Sequence, residues 1–244
     1  RDPAYLNAFQ REHLNVWTEQ DIRWMPMREW DACAGIVDEA ALLNRPCFMG
    51  LDLAQVNDLT ALALLFPPEN RDSGVYQVLM RYYAPESVVR QRTDYQVWRD
   101  RGLITVTPGS ATDYAFVRND AIRLASKYEV KKFAYDRFLA GQLALELKQE
   151  GLPVEGFGQG YKSMSDPTKG LMRLILDRRI DHGGHSVLRW NAANMVVTQD
   201  PAANLKPDKA KASGKIDGVV ALIMALGVEM GEQTDLPMVY MVSA

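Results

Sequence analysis

The sequence predicts an α/β domain built on a mixed sheet, in which an antiparallel three-strand meander is extended by parallel strands and flanked by helices. Three observations carry this. Apolar runs at 47–53, 60–66 and 75–83 are separated by the short polar stretches AQVND and PPENRDSG, the pattern of consecutive antiparallel strands. From 86 onward, helical periodicity alternates with short apolar strands, which adds parallel strands to the meander. With 47% hydrophobic residues in 244, the chain can fill a sizeable core.

The elements follow in order. Residues 1–45 hold Trp17, Trp24 and Trp30 among many charges and have little strand character, so they read as an arm that docks either on this domain or on a neighbour. The body then spans 46–244. In the first strand Phe48, Gly50 and Asp52 share a face, and Gly50 is expected to leave open space beside the carboxylate. Helices are predicted at 86–100 and 114–128, a strand at 131–136, a helix at 139–150 and a strand at 152–157. Asp166 and Pro167 mark the start of a helix over 166–179. MVVTQ and the segment after DPAAN suit a hairpin, and a last helix over 214–230 sets Ile216, Val220, Ile223 and Gly227 on one face.

Composition narrows the function classes. A formal charge of −3 gives no whole-surface positive field, so contact with nucleic acid must rest on local basic patches and metal ions. Cys33 and Cys47, the two cysteines, form no metal-binding pattern and fit a reducing compartment. No apolar run is long enough to span a bilayer, and the polar opening RDPAYLNAFQREHL reads as part of a longer intracellular chain.

Asp52, Asp136 and Asp217 raise the chemical question. The first two end apolar strands and the third opens the last helix, each among apolar neighbours. An ionised carboxylate in such surroundings needs a partner. Three that converge would repel one another unless a divalent cation sat among them, and oxygen donors favour Mg²⁺ or Mn²⁺. Two such ions about 3.5–4 Å apart activate a water and stabilise the leaving oxygen of a phosphodiester. On that view, neutralising one carboxylate of the metal-free site leaves stability equal or higher. Each residue also has a structural reading: Asp217 as a helix-terminus charge with Ser213 as cap, Asp136 as a strand terminator, Asp52 as the start of a turn that Asp58 closes. The order of elements favours the site, because a meander with Asp on its first strand, a later strand ending in Asp and a closing helix carrying Asp is the ribonuclease H-like arrangement.

Several long segments, GLDLAQVNDLTALALLFP, FAYDRFLAGQLALELKQEG, LRWNAANMVVTQDPAANLKPDKAKASGKIDGVVALIMALG and the arm LNVWTEQDIRWMPMREWDACAG, together resemble the C-terminal nuclease domain of the large terminase subunit of tailed phages. The resemblance implies a metal-dependent endonuclease that cuts concatemeric double-stranded viral DNA at the start and end of genome packaging, in the host cell cytoplasm. It gives Asp52, Asp136 and Asp217 the roles of catalytic ligands to two Mg²⁺ or Mn²⁺, and Asp58 that of an auxiliary ligand or a group behind the ligands, with a turn-closing Asp as the alternative. It also implies partners: a packaging ATPase domain in the same full-length chain, the small terminase subunit and the capsid portal. No GxxxxGK[ST] occurs, since position 209 is Lys where Gly214-Lys215 would require Gly, so no ATPase site is expected within these residues.

Lys206, Lys209, Lys211 and Lys215 precede the last acidic motif. They suit either a solvated loop or contact with the DNA backbone, and the nearby carboxylates favour contact. Lys162, Lys169, Arg173, Arg178 and Arg179 form a weaker second patch. His182 and His185 flank two glycines in a predicted surface loop and carry no assigned role. A Holliday-junction resolvase or transposase of the same superfamily, or a non-catalytic docking domain, are the rival readings.

Overall fold

In the computed structural model, residues 22–53, 59–137 and 141–235 are described. Trp17, the AQVND turn and Asp58 lie outside them. The described elements are β1 (Ile22–Arg23), α1 (Met27–Asp31), β2 (Pro46–Asp52), β3 (Thr60–Phe66), β4 (Tyr76–Pro85), α2 (Glu86–Gln91), α3 (Thr93–Asp100), β5 (Thr105–Thr107), α4 (Tyr114–Ala125), β6 (Glu129–Asp136), α5 (Gly141–Gln149), β7 (Val154–Phe157), α6 (Tyr161–Leu176), β8 (Ile180–Asp181), α7 (Ser186–Asn194), β9 (Val196–Gln199), β10 (Leu205–Pro207) and α8 (Asp217–Asp235).

The meander forms as its spacing predicts: β2 pairs antiparallel with β3, and β3 with β4. β6 joins the other side of β2 in parallel and β7 joins β6, giving the order β5-β4-β3-β2-β6-β7, with short β8 parallel to the start of β4. β3 is buried along its whole length and β2 along all but its first residue, because both faces of the sheet are covered. On one face Met49, Leu51, Leu62 and Leu64 pack with Val117, Ala121 and Leu124 of α4 and Leu143 and Leu147 of α5. On the other, Phe48, Ala61, Ala63 and Met80 pack beneath α8, which α6 and α7 cover in turn.

Four expectations are corrected here. The helix over 86–100 breaks at Arg92, whose backbone is extended while its guanidinium pairs with Asp94 and lies over the rings of Tyr95 and Trp190. α6 starts at Tyr161, not at Asp166, and encloses Pro167. Pro167 forfeits one helical hydrogen bond, but it is buried on the same stripe as Met164, Thr168, Leu171 and Ile175, so packing offsets the loss. α8 is buried all round from Val219 to Leu226 rather than on one face, since it lies between the sheet and a further layer of helices. His182 is buried, not on a surface loop: its ring stacks on Trp30 at 4.5 Å and its Nε2 lies 2.8 Å from the Trp30 carbonyl.

Trp24 and Trp30 belong to the core, and β1 pairs with β9 to complete a small antiparallel sheet β1-β9-β10. β9 and β10 are the predicted hairpin. Cys33 and Cys47 are free and buried. No helix among the described residues is long and apolar enough to cross a membrane.

Candidate active site

β2 and β6 run parallel and in register, with Leu51 opposite Tyr135, so the next residue of each strand, Asp52 and Asp136, leaves the sheet at the same level. Neighbouring strands lie about 4.8 Å apart, which makes these carboxylates close neighbours. Both are buried. Alternation places Asp52 with Phe48 and Asp136 with Ala134, on the face that α8 covers.

α8 reaches this spot because Gly50 lets it. A Cβ on Gly50 would stand 2.0 Å from the Ala221 carbonyl oxygen and 2.8 Å from the Ala225 amide nitrogen. The predicted open space beside Asp52 is therefore filled by the backbone of α8, and the missing side chain sets the close approach of helix to strand. Asp217, the first residue of α8, is thereby brought to the ends of β2 and β6, and its negative charge suits a helix N-terminus.

Ser213 does not cap this helix; its hydroxyl donates to Asn194 Oδ1. Buried Asn191 of α7 holds the N-terminus instead. Its Nδ2 donates to the Lys215 carbonyl at 2.7 Å, and its Oδ1 accepts from the Gly218 amide at 3.1 Å and from the Tyr82 hydroxyl at 3.0 Å. Gly218 has to be glycine, because a Cβ there would come within 1.9 Å of the Tyr82 hydroxyl oxygen. Burial raises the Tyr82 pKa well above its ordinary value, and the Asp217 charge adds to the effect, so Tyr82 stays a neutral donor.

Lys209 joins two of the three carboxylates. Its Nζ lies 2.6 Å from Asp52 Oδ2 and 3.2 Å from Asp217 Oδ1, so those oxygens are no further apart than the sum of the two distances. Gln159 donates to the other Asp52 oxygen at 3.2 Å. Burial raises the Asp52 pKa; Lys209 and Gln159 oppose it, and the neighbouring Asp136 charge reinforces it. Burial acts to lower the pKa of Lys209, but the charges of Asp52 and Asp217 more than offset it and the ammonium is held above its ordinary range. The like-charge repulsion expected of a metal-free site is thus partly neutralised by Lys209, and removing Asp52 or Asp217 leaves this ammonium short of a counter-charge. Among the described residues, no three His, Cys, Asp or Glu side chains are gathered closely enough to hold a metal ion.

The other lysines of the run lie outside this cluster. Lys206 is on β10 with its ammonium 5.0 Å from the centre of the Tyr161 ring, and Lys211 and Lys215 are half-buried in the segment leading to α8. Gln159 and Asn191 escape sequence reasoning. Gln159 carries one weak signal, its position just beyond a parallel strand end, where α/β sheets bind ligands.

Residues 1–232 match the terminase large subunit, endonuclease domain family. The chain belongs to this family. The large terminase subunit of Enterobacteria phage HK97 is 35% identical over 244 residues, covering 96% of this chain and 47% of the relative. The crystal structure of the HK97 large terminase superposes with a TM-score of 0.80 at 34% identity over 93% of this chain and 48% of that one. The large terminase nuclease of thermophilic phage G20c, solved with bound magnesium, shares the fold alone, with a TM-score of 0.50 at 13% identity over 75% of this chain and 83% of that one. This terminase nuclease domain therefore has the ribonuclease H-like fold, and it spans about half the length of the HK97 relative it matches.

Proposed function

We propose that this terminase nuclease domain is a divalent-metal-dependent endonuclease that cuts concatemeric double-stranded viral DNA, with Asp52, Asp136 and Asp217 as its metal ligands. The observation that carries the reading is the arrival of three buried carboxylates from β2, β6 and α8 at one end of the sheet, two of them already sharing a cation. The donor set fits Mg²⁺ or Mn²⁺: hard carboxylate oxygens with rigid elements behind each ligand. Magnesium bound by the G20c nuclease supports the same choice. Bound there, two such ions would supply a nucleophilic water at neutral pH and charge stabilisation for the leaving oxygen.

The chain's own residues do the positioning. β2 and β6 fix Asp52 and Asp136 side by side, Asn191 fixes the first turn of α8, and Gln159 orients the Asp52 carboxylate. Asp58, outside the described residues, keeps both of its readings, an auxiliary ligand or group behind the ligands and a turn-closing Asp. Lys206, Lys209, Lys211 and Lys215 lead into α8 and hold the phosphate backbone beside the carboxylates without reading bases. In the full-length protein the domain works with a packaging ATPase domain of the same chain, and with the small terminase subunit and the capsid portal, in the host cytoplasm.

Digestion of a supercoiled plasmid by the purified chain tests the reading. Cleavage is expected with Mg²⁺ or Mn²⁺ and none with EDTA, and Asp52→Asn, Asp136→Asn and Asp217→Asn should each abolish it in protein that remains folded by circular dichroism. Full activity of any one variant removes that residue from the catalytic set.

A further inference from the structure

The contact between Lys209 and the carboxylates joins a residue of the loop after β10 to the ends of β2 and α8, and nothing in the reaction described above requires it. Asp52 and Asp217 are nearly sealed from solvent, their side chains 0% and 4% exposed, whereas that of Lys209 is 41% exposed. Of the three, only Lys209 has an open path away. Its backbone is held independently: the Asp208 amide donates to the Val196 carbonyl, and Asp208 Oδ1 accepts from the amides of Ala210 and Lys211 at 2.9 and 3.2 Å. The side chain can therefore swing without the loop unfolding.

We infer that Lys209 is an internal cation that occupies the metal position in the metal-free protein and is displaced when a divalent ion loads. The inference rests on the reading of Asp52 and Asp217 as metal ligands. Lysine and metal are mutually exclusive there, because an ammonium at 2.6 and 3.2 Å from Asp52 Oδ2 and Asp217 Oδ1 fills the space a shared cation would take. A divalent ion carries twice the charge of the ammonium, so it has an electrostatic advantage between Asp52 and Asp217 and the exchange runs toward the metal. Until then Lys209 partly offsets two buried charges that would otherwise destabilise the fold, and it makes the domain's metal affinity depend on how readily the lysine leaves. Once released, its ammonium stands beside the site, placed to meet a DNA phosphate.

Two measurements on the intact chain test this. Titration calorimetry with MnCl₂ compares wild type, Lys209→Met and Lys209→Arg at about pH 8, where free carboxyl groups are ionised. Lys209→Met should bind Mn²⁺ about tenfold more tightly or better, since the occupied fraction no longer reduces the apparent affinity. Lys209→Arg, which keeps a cation, should stay near wild type. Labelling wild type with an amine-reactive reagent, read by mass spectrometry, needs no variant to fold. Mn²⁺ should raise the reactivity of Lys209 and leave exposed Lys162 unchanged. Equal or weaker Mn²⁺ binding by folded Lys209→Met, or Lys209 reactivity that does not rise, overturns the inference while the metal site stands. Wild type that binds no Mn²⁺ overturns both the inference and the metal-site reading.

Discussion

Asn191 makes three hydrogen bonds at a fully buried position, and each has a different owner: the Lys215 carbonyl, the Gly218 amide and the Tyr82 hydroxyl. Two of them close the N-terminus of α8, where backbone groups have no helical partner. Asn191→Ala leaves all three groups without this partner in a closed environment, so stability should fall by about 2 kcal/mol or more in urea denaturation. Plasmid cleavage should fall further than the folded fraction explains, measured at a temperature where circular dichroism shows the variant intact, because Asp217 loses its fixed position. Wild-type cleavage by the folded variant would reduce Asn191 to a stability role. Asn191 is not legible in the sequence: it is one polar residue in RWNAAN, and only the packing of α7 on α8 gives its side chain partners. The three aspartates are legible because each interrupts an apolar run at the end of an element. Lys209 is legible as a charge, but its direction is not, since sequence shows a lysine-rich loop and not which lysine turns inward.

At the scale of elements, the contact that builds the site is α8 against β2 at Gly50. Gly50→Ala forces a methyl group against the Ala221 carbonyl and should cost about 3 kcal/mol through displacement of the helix. The same displacement separates Asp217 from Asp52, so Mn²⁺ affinity measured by calorimetry should weaken in whatever protein remains folded. Unchanged melting and unchanged Mn²⁺ binding would show that the close approach of α8 to β2 does not shape the site. The strands of the meander and the hairpin β9–β10 are readable because β-branched and apolar runs end at polar turns, and that signal is local. The start of α6 is not, because Asp166-Pro167 imitates a helix entry while the buried stripe that fixes the helix also includes Met164 upstream. α8 misleads for the opposite reason: a helix covered on all sides loses the one-sided pattern from which amphipathic faces are read.

Across the whole molecule, a net charge of −3 leaves DNA binding to local patches. Lys206, Lys209, Lys211 and Lys215 lie along the path from β10 to α8, and of these Lys209 contacts the carboxylates. Replacing all four by Ala in an Asp136→Asn background, proposed above to block cutting, should weaken binding to any duplex alike and make the slope of log affinity against log salt shallower by up to about 3–4, roughly one for each phosphate no longer neutralised. An unchanged slope would move the DNA-binding surface to the patch around Lys169 and Arg173 on α6 or to the rest of the full-length protein. The place of the arm's described part, 22–45, is a whole-molecule result: the sequence leaves two docking surfaces open for the tryptophans, and Trp24 and Trp30 enter the core beneath α6 and α7 because the body offers them apolar partners there.

Anomalous diffraction from crystals of this domain grown with MnCl₂ would locate any metal held by the three aspartates. Manganese peaks coordinated by Asp52, Asp136 and Asp217 are expected, with the Lys209 ammonium withdrawn from Asp52 and Asp217. Crystals with no manganese at these carboxylates and Lys209 still bridging them, at a Mn²⁺ concentration that supports plasmid cleavage, would contradict the proposed metal site.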